Sequence, residues 1–162
     1  MKRNVFIFLF SGVAFVLLLH PPSLAASERF VDNGDGTVTD TELHLMWAAE
    51  DNLGDIDWHQ AEKWIRYTFP TSLPVMYDNW RLPTLNELQT LFVKNSDYQG
   101  YEAECGQKIR IIPQIHLSCG FVWTGDRENV SARVFNFVRG TFYTDRLVHR
   151  RGYRALAVRD IR

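Results

Sequence analysis

An apolar run at the N-terminus decides how much of this chain is left to fold. Lys2 and Arg3 precede the run, which extends from Val5 to Leu19, and Ser23-Leu24-Ala25 offers the small residues that a signal peptidase reads. A transmembrane anchor is the alternative, but a spanning helix needs roughly 20 apolar residues, and this run is shorter. We therefore predict a cleaved signal peptide over residues 1–25 and a periplasmic or secreted protein without stable membrane insertion.

Residues 26–162 would remain after that cleavage, and they predict a single domain. A length of about 140 residues is usual for one domain and suffices for a hydrophobic core. No internal repeat, low-complexity tract or linker divides this part of the chain.

The two cysteines of the chain, Cys105 and Cys119, both fall in this domain. In an oxidising compartment an isolated pair indicates a disulfide bond, which stabilises by about 3 kcal/mol for a loop of this size. A metal site is a weaker alternative, because the histidines are scattered and no CxxC or HxH spacing occurs. A catalytic thiol is the other alternative. We predict the disulfide, with no metal and no cofactor.

Charge is distributed unevenly along the chain. Residues 26–126 include 16 acidic and 7 basic side chains, whereas residues 127–162 include 9 arginines, no lysine and 3 acidic side chains. The net charge of the whole chain is −1, which gives no reason to expect nucleic acid as a partner. The asymmetry instead indicates that the C-terminal part could meet an anionic partner.

The segment RFVDNGDGTVTD, residues 29–40, predicts a β-hairpin. Asp35-Gly36 favours a tight turn because glycine tolerates a positive φ, and Thr37-Val38-Thr39 favours a strand. A calcium loop is the alternative. However, a loop opening at Asn33 would have His44 where an EF-hand needs a bidentate glutamate.

The segment DWHQAEKWIRYT, residues 57–68, predicts an amphipathic helix. Asp57 can cap its N-terminus, with Gln60 three residues later. The residues of the predicted buried face are spaced by three or four positions: Trp58, Ala61, Ile65 and Thr68. Trp64 is expected to lie beside this face.

A second helix is predicted within DNWRLPTLNELQTLF, residues 78–92. Thr84 and Glu87 form a capping box, and Pro83 prevents the helix from extending backwards. The predicted buried stripe comprises Leu85, Leu88, Leu91 and Phe92.

The remainder of the chain lacks helical periodicity. Residues 94–120 are irregular and hold both cysteines, so the disulfide is expected to pin a long loop region to a sheet. From Phe121 onward, short β-type runs alternate with turns that contain glycine. Together with the two helices, this pattern predicts an α+β domain.

Several of these segments together resemble a known family. DNGDGTVTD, LMW at residues 45–47, DWHQA, WRLPTLNEL, FVWTG and ALAVR occur in this order over nearly all of residues 26–162. They are similar to the Lcl C-terminal domain family, named after the terminal domain of a collagen-like bacterial adhesin. The resemblance implies a C-type-lectin-like fold: two short helices packed on small antiparallel sheets, paired termini, and a long loop region that presents a surface.

Two positions depart from the family pattern. His44 stands where the family commonly has glycine, which suggests a different turn, and Ala157 stands where it commonly has cysteine in the last strand. The second departure suggests that Cys105 and Cys119 form a local bridge. WRLPT alone is also similar to the formylglycine-generating family, whose enzymes need C-terminal cysteines to bind copper. Residues 127–162 contain no cysteine, so that oxidation is not expected.

The WRLPT segment is predicted to be scaffold. Trp80 is a large apolar residue beside a helix cap, and the Arg81 fork can pair with a carboxylate or with backbone carbonyls. No nucleophile, base or metal ligand lies near them in sequence. Trp47, Pro83 and Glu87 belong to the same predicted scaffold. We predict no catalytic residue and no enzyme activity.

The candidate ligand-binding residues lie near the C-terminus, around TDRLVHRRGYR at residues 144–154. The predicted contacts are Arg139, Arg146, His149, Arg150, Arg151 and Arg154, with Arg133 able to join them and Tyr143 and Tyr153 able to stack on sugar rings. Arginine forks match sulfate, phosphate and carboxylate groups. The alternative is that these arginines form ordinary surface pairs with the acidic part of the chain, each contributing about 0–1 kcal/mol.

Two functions follow from these observations. The first is an exported, non-catalytic binding module for a polyanionic or carbohydrate ligand, since the best-understood activity in the family is binding of sulfated polysaccharide. The second is a structural subunit or tip component of a pilus-like or adhesin-like surface assembly, with other proteins as partners.

Overall fold

A computed structural model describes residues 28–161, so the predicted signal peptide over residues 1–25 lies outside the described residues. A π-helical turn, Trp64–Thr68, joins the first two helices. The elements in chain order are β1 (Phe30–Asp32), β2 (Thr37–Asp40), β3 (Leu45–Ala48), α1 (Trp58–Lys63), α2 (Phe69–Ser72), α3 (Leu85–Leu91), β4 (Tyr101–Glu102), β5 (Lys108–Ile109), β6 (Phe121–Glu128), β7 (Ser131–Asn136), β8 (Thr141–Arg146), β9 (Tyr153–Arg154) and β10 (Val158–Asp160).

The first three strands and the last one form an antiparallel sheet in the order β1-β2-β3-β10. The predicted hairpin, β1–β2, is confirmed. Asp32 accepts a hydrogen bond from Gly34 N at 2.9 Å, and Asp35 accepts one from Thr37 N at 3.0 Å. These carboxylates stabilise the turn, and Gly36 adopts a φ of 87° within it. β10 joins this sheet at the edge opposite to β1, so the first and last strands share a sheet but do not pair with each other, and the expectation of paired termini is corrected.

The first predicted helix is longer than expected and is interrupted. Asp57 caps it as predicted, accepting from Gln60 N at 3.0 Å. The π-turn then accommodates an extra residue, so Phe69 takes the inward position that follows Ile65. The prediction that Thr68 lies on the buried face is therefore wrong, because Thr68 is exposed.

The start of α3 is as predicted. Thr84 Oγ1 accepts from Glu87 N at 3.2 Å, and the Glu87 carboxylate accepts from Thr84 N at 2.7 Å, which completes the capping box. Asp126 adds a further cap from the second large sheet, accepting from Leu85 N at 2.7 Å. Phe92 was predicted to lie in the helical stripe, but it follows the helix end and is only half-buried.

The second large sheet has the order β8-β7-β6-β9. β6, β7 and β8 are antiparallel, whereas β9 runs parallel to β6. The expectation of purely antiparallel sheets is therefore corrected. A bulge between Trp123 and Arg127 interrupts β6, and there Gly125 N donates to Pro83 O at 2.7 Å. This contact seats the start of α3 against the sheet.

The long loop region holds the small hairpin β4–β5 and the predicted disulfide. Cys105 and Cys119 are bonded, with their Cα atoms 5.4 Å apart, which confirms the pairing. Since Cys119 lies two residues before β6, the bond ties the loop region to the second large sheet.

The core is built from both large sheets and from α1 and α3, which confirms an α+β domain. Its largest fully buried side chains include Trp47, Trp123, Phe135, Phe137 and Leu88. Among residues 28–161, no helix is long and apolar enough to cross a bilayer.

Candidate functional site

Four of the predicted ligand-binding residues lie together where β8 ends. Arg146 is the last residue of β8, and His149, Arg150 and Arg151 occupy the turns that follow. Hydrogen bonds from His149 N to Arg146 O (3.0 Å) and from Tyr153 N to Arg150 O (3.2 Å) close these turns. All four side chains are exposed. We call these four residues the arginine surface.

No guanidinium group of the arginine surface forms a close ion pair within the described residues, although the charge of Arg150 helps to lower the pKa of Asp55. Ion pairs are formed by other arginines of residues 28–161, but none involves Arg146, Arg150 or Arg151. The alternative in which these arginines pair with the acidic part of the chain is therefore not supported for Arg146 and Arg151, whereas Arg150 interacts with Asp55 through charge alone. Their forks are free to bind an anionic group.

Asp145 lies directly beside this surface but is already engaged. It accepts from Arg146 N at 2.8 Å, lies 2.6 Å from His149 Nδ1, and accepts from the Tyr153 hydroxyl. Partial burial raises the pKa of Asp145, but these hydrogen bonds outweigh burial, and the net pKa is below its ordinary value. Asp145 is thus ionised at neutral pH, and its charge holds His149 and Tyr153 in place.

Arg154 is a predicted ligand contact that the structure places elsewhere. Its side chain is buried, with the residue only 6% exposed. Its Nε donates to Ser118 Oγ at 2.6 Å, and its Nη1 donates to Asp55 Oδ1 at 2.9 Å. Ser118 in turn is bonded to the buried Asp51. This network corrects the prediction: Arg154 links β9 to two distant segments and is not available to a ligand.

Arg139 is also separated from the arginine surface. It precedes β8, whereas Arg146 ends it, and a six-residue strand places them about 17 Å apart along the chain direction. Arg139 is exposed at the opposite end of the sheet. A single small ligand cannot contact both residues.

Two further arginines flank the arginine surface. Arg133 lies on β7, with its guanidinium 5.7 Å from the ring centre of Phe142, and it lines an open cleft of about 550 Å³ with Thr144. Arg127 was not singled out from the sequence. Arg127 on β6 and Asp145 on β8 both pair with Ala132 on β7. Arg127 therefore lies at the same end of the sheet as the arginine surface. The sequence could have indicated this position of Arg127, because the turn after Glu128 puts Arg127 at the end of a strand.

The predicted sugar-stacking tyrosines differ in their exposure. Tyr153 is only 8% exposed and packs on Trp123 with ring centres 4.6 Å apart, so it cannot stack on a ligand. Tyr143 is 37% exposed and donates to the Tyr153 hydroxyl at 3.2 Å. Only Tyr143 remains a candidate for contact with a sugar ring.

The residues of the WRLPT segment make contacts that hold the fold together. Trp80 is 5% exposed and packs edge-on against Phe69, with ring centres 4.8 Å apart. Arg81 donates two hydrogen bonds to Glu87, at 2.9 and 2.8 Å, and a third to Asp160 at 3.3 Å. The backbone of Arg81 also pairs with Val158. The segment thus joins the start of α3 to the last strand.

Electrostatics agree with this role of the Arg81–Glu87 pair. Burial raises the pKa of Glu87, but the hydrogen bonds from Arg81 and from Thr84 N outweigh it, so the net pKa lies below its ordinary value. The hydrogen bonds to Glu87 raise the pKa of Arg81. Both groups are therefore charged over the whole neutral range.

The sequence segments were next compared with families of known proteins. Residues 36–159 match the family model of the Lcl C-terminal domain. The chain belongs to the Lcl C-terminal domain family. Membership indicates a surface-associated domain, and the family is not a known enzyme family. A search of curated proteins found no match. The matched residues of this Lcl C-terminal domain include the whole arginine surface and the WRLPT segment.

The side chains that commonly bind metals are dispersed in the described part of this Lcl C-terminal domain. Within residues 28–161, no three His, Cys, Asp or Glu side chains are grouped so that they could hold an ion. The acidic hairpin turn uses its carboxylates on its own backbone. The exposed guanidinium and imidazole groups of the arginine surface can recognise anions through hydrogen bonds and charge.

Proposed function

We propose that this Lcl C-terminal domain is an exported, non-catalytic binding module of C-type-lectin-like fold that binds sulfated or acidic polysaccharide. The arginine surface would make the contacts. The observation that carries the proposal is the group of exposed arginines without ion-pair partners, each free to form paired hydrogen bonds with a sulfate or carboxylate. The half-exposed ring of Tyr143 on the same strand could contact a sugar ring.

Chromatography on immobilised heparin tests the proposal. The triple variant Arg146→Ala, Arg150→Ala, Arg151→Ala is compared with the wild type. The matched control is Lys63→Ala, Arg66→Ala, Lys94→Ala, which removes the same charge from exposed positions elsewhere. We expect the first variant to elute at clearly lower salt, because clustered charges act together within a Debye length of about 8 Å. The control should elute close to the wild type. Equal losses in both variants would show an effect of net charge alone and would refute the site.

A second candidate function is a subunit of a surface assembly with a protein partner. It is favoured by exposed apolar side chains around α2, where Tyr67 is 71% and Met76 is 83% exposed. Exposed apolar patches often mark protein contacts. If the folded arginine variant eluted from heparin with the wild type, this second function would become the preferred one.

A further inference from the structure

We propose that the end of the second large sheet that carries the arginine surface also docks on an anionic lipid bilayer, with Val130 and Val148 entering the headgroup region. This inference goes beyond the proposed polysaccharide function and does not depend on it. It uses the same arginines as that function, but it rests on two exposed valines, whose apolar side chains do not bind sulfate groups.

The two valines are unusually exposed for their type. Val130, in the turn between β6 and β7, is 73% exposed, and Val148, in the turn after β8, is 71% exposed. The turns are neighbours, since Leu147 N donates to Val130 O at 3.0 Å. Turns favour Gly, Asn, Asp and Ser, and Asn129 already supplies the positive φ of 53° in the first turn. Neither valine is therefore required by the core or by the turn geometry.

Positive charge surrounds these valines. Arg127 lies at the same sheet end, and Arg146, Arg150 and Arg151 carry no ion pair within residues 28–161. The carboxylates nearby are largely occupied: Asp145 by His149 and Tyr153, and Asp55 by Arg154. Three further carboxylates near this end, those of Glu128, Asp57 and Asp126, form no ion pair in the described chain. Asp57 and Asp126 instead accept hydrogen bonds from backbone N–H groups at the starts of α1 and α3. The surface thus combines exposed apolar tips with a surplus of cations.

This combination fits a bilayer with anionic headgroups better than a peptide. The valines lie on protruding turns rather than in a groove, so they can enter a soft, flat surface without a complementary partner shape. Arginines near an anionic bilayer strengthen binding by about fivefold each. Apolar side chains that pass the headgroups add affinity in proportion to their buried area.

Co-sedimentation with vesicles tests the proposal. We expect the protein to bind vesicles of phosphatidylcholine with phosphatidylglycerol and not vesicles of phosphatidylcholine alone. The variant Val130→Ser, Val148→Ser should lower the partition coefficient about tenfold. The matched control Val31→Ser, Val75→Ser, at exposed positions outside this end of the sheet, should bind like the wild type. The triple arginine variant should have a partition coefficient on anionic vesicles about a hundredfold lower than that of the wild type.

The heparin column separates this inference from the proposed function. The valine variant should keep the wild-type elution salt on heparin, because the valines touch lipid only. Wild-type partition of that variant on anionic vesicles would overturn the proposal, as would equal binding of the wild type to both kinds of vesicle. A valine variant that lost heparin and vesicle binding together would also overturn it, since the valines would then only support the turns. An arginine variant that lost heparin binding but still bound anionic vesicles like the wild type would refute the lipid proposal and support the polysaccharide function.

Discussion

Replacing Arg81 by lysine should lower the stability of the domain and leave ligand binding unchanged. Arg81 holds Glu87 with two hydrogen bonds, at 2.9 and 2.8 Å, and also reaches Asp160 at 3.3 Å. A lysine ammonium can keep one contact with Glu87 but cannot reproduce the fork. A buried hydrogen bond to a charged group contributes about 1.5–3 kcal/mol. The Arg81 side chain is 35% exposed, so we reduce the expected loss to about 1 kcal/mol.

Urea unfolding at neutral pH measures this loss as a lower free energy of unfolding. A double-mutant cycle with Glu87→Gln isolates the pair, and we expect a coupling free energy of about 1 kcal/mol. The pH dependence has a definite sign. Because the pKa of Glu87 is lowered in the folded state, the pair stabilises above the ordinary pKa of the group, and this contribution is lost as the pH falls through the lowered value. The difference in the free energy of unfolding between the wild type and Arg81→Lys should therefore become smaller at acidic pH. A variant that melted like the wild type but lost heparin binding would refute the structural role of Arg81.

Three further predictions concern the core and the loop region. Trp80→Ala should lower the free energy of unfolding by about 3–5 kcal/mol in urea titrations, and a smaller loss would show that Trp80 is not a core residue. Thiol titration of the denatured, unreduced protein should find no free thiol, whereas two thiols would exclude the Cys105–Cys119 bond. Gly140→Ala should cost about 1–3 kcal/mol more than Gly34→Ala, because both have a positive φ but only at Gly140 would a Cβ meet the Phe92 ring, at 2.5 Å. Equal melting temperatures of the two variants would contradict this.

The elements that the sequence predicted best are those that depend on neighbouring residues. The capping box of Thr84 and Glu87 and the hairpin turn at Asp35-Gly36 require only residues a few positions apart, and both are present. The π-turn was missed because the 3.6-residue period was extended from Ile65 to Thr68 without any local sign of an inserted residue. The parallel pairing of β9 with β6 was missed because strand order depends on contacts between distant segments.

The candidate site was predicted less completely, for a related reason. A cluster of arginines in sequence does not reveal which of them finds a buried partner. Arg154 is bonded to Asp55 and Ser118, which lie 99 and 36 positions away, and no local pattern announces those contacts. Arg139 was grouped with Arg146 because they are close in sequence, but an extended strand carries them to opposite ends of a sheet.

The location of the polyanion site is the central claim, and amide NMR tests it most directly. A heparin oligosaccharide is titrated into the uniformly ¹⁵N-labelled protein, and shift changes are mapped on the sequence. We predict that the largest changes fall on residues 127–133 and 143–152, around the arginine surface, and that they weaken with added salt. Largest changes around Arg139, or around the exposed residues Tyr67 and Met76, would contradict the assignment of the arginine surface as the binding site.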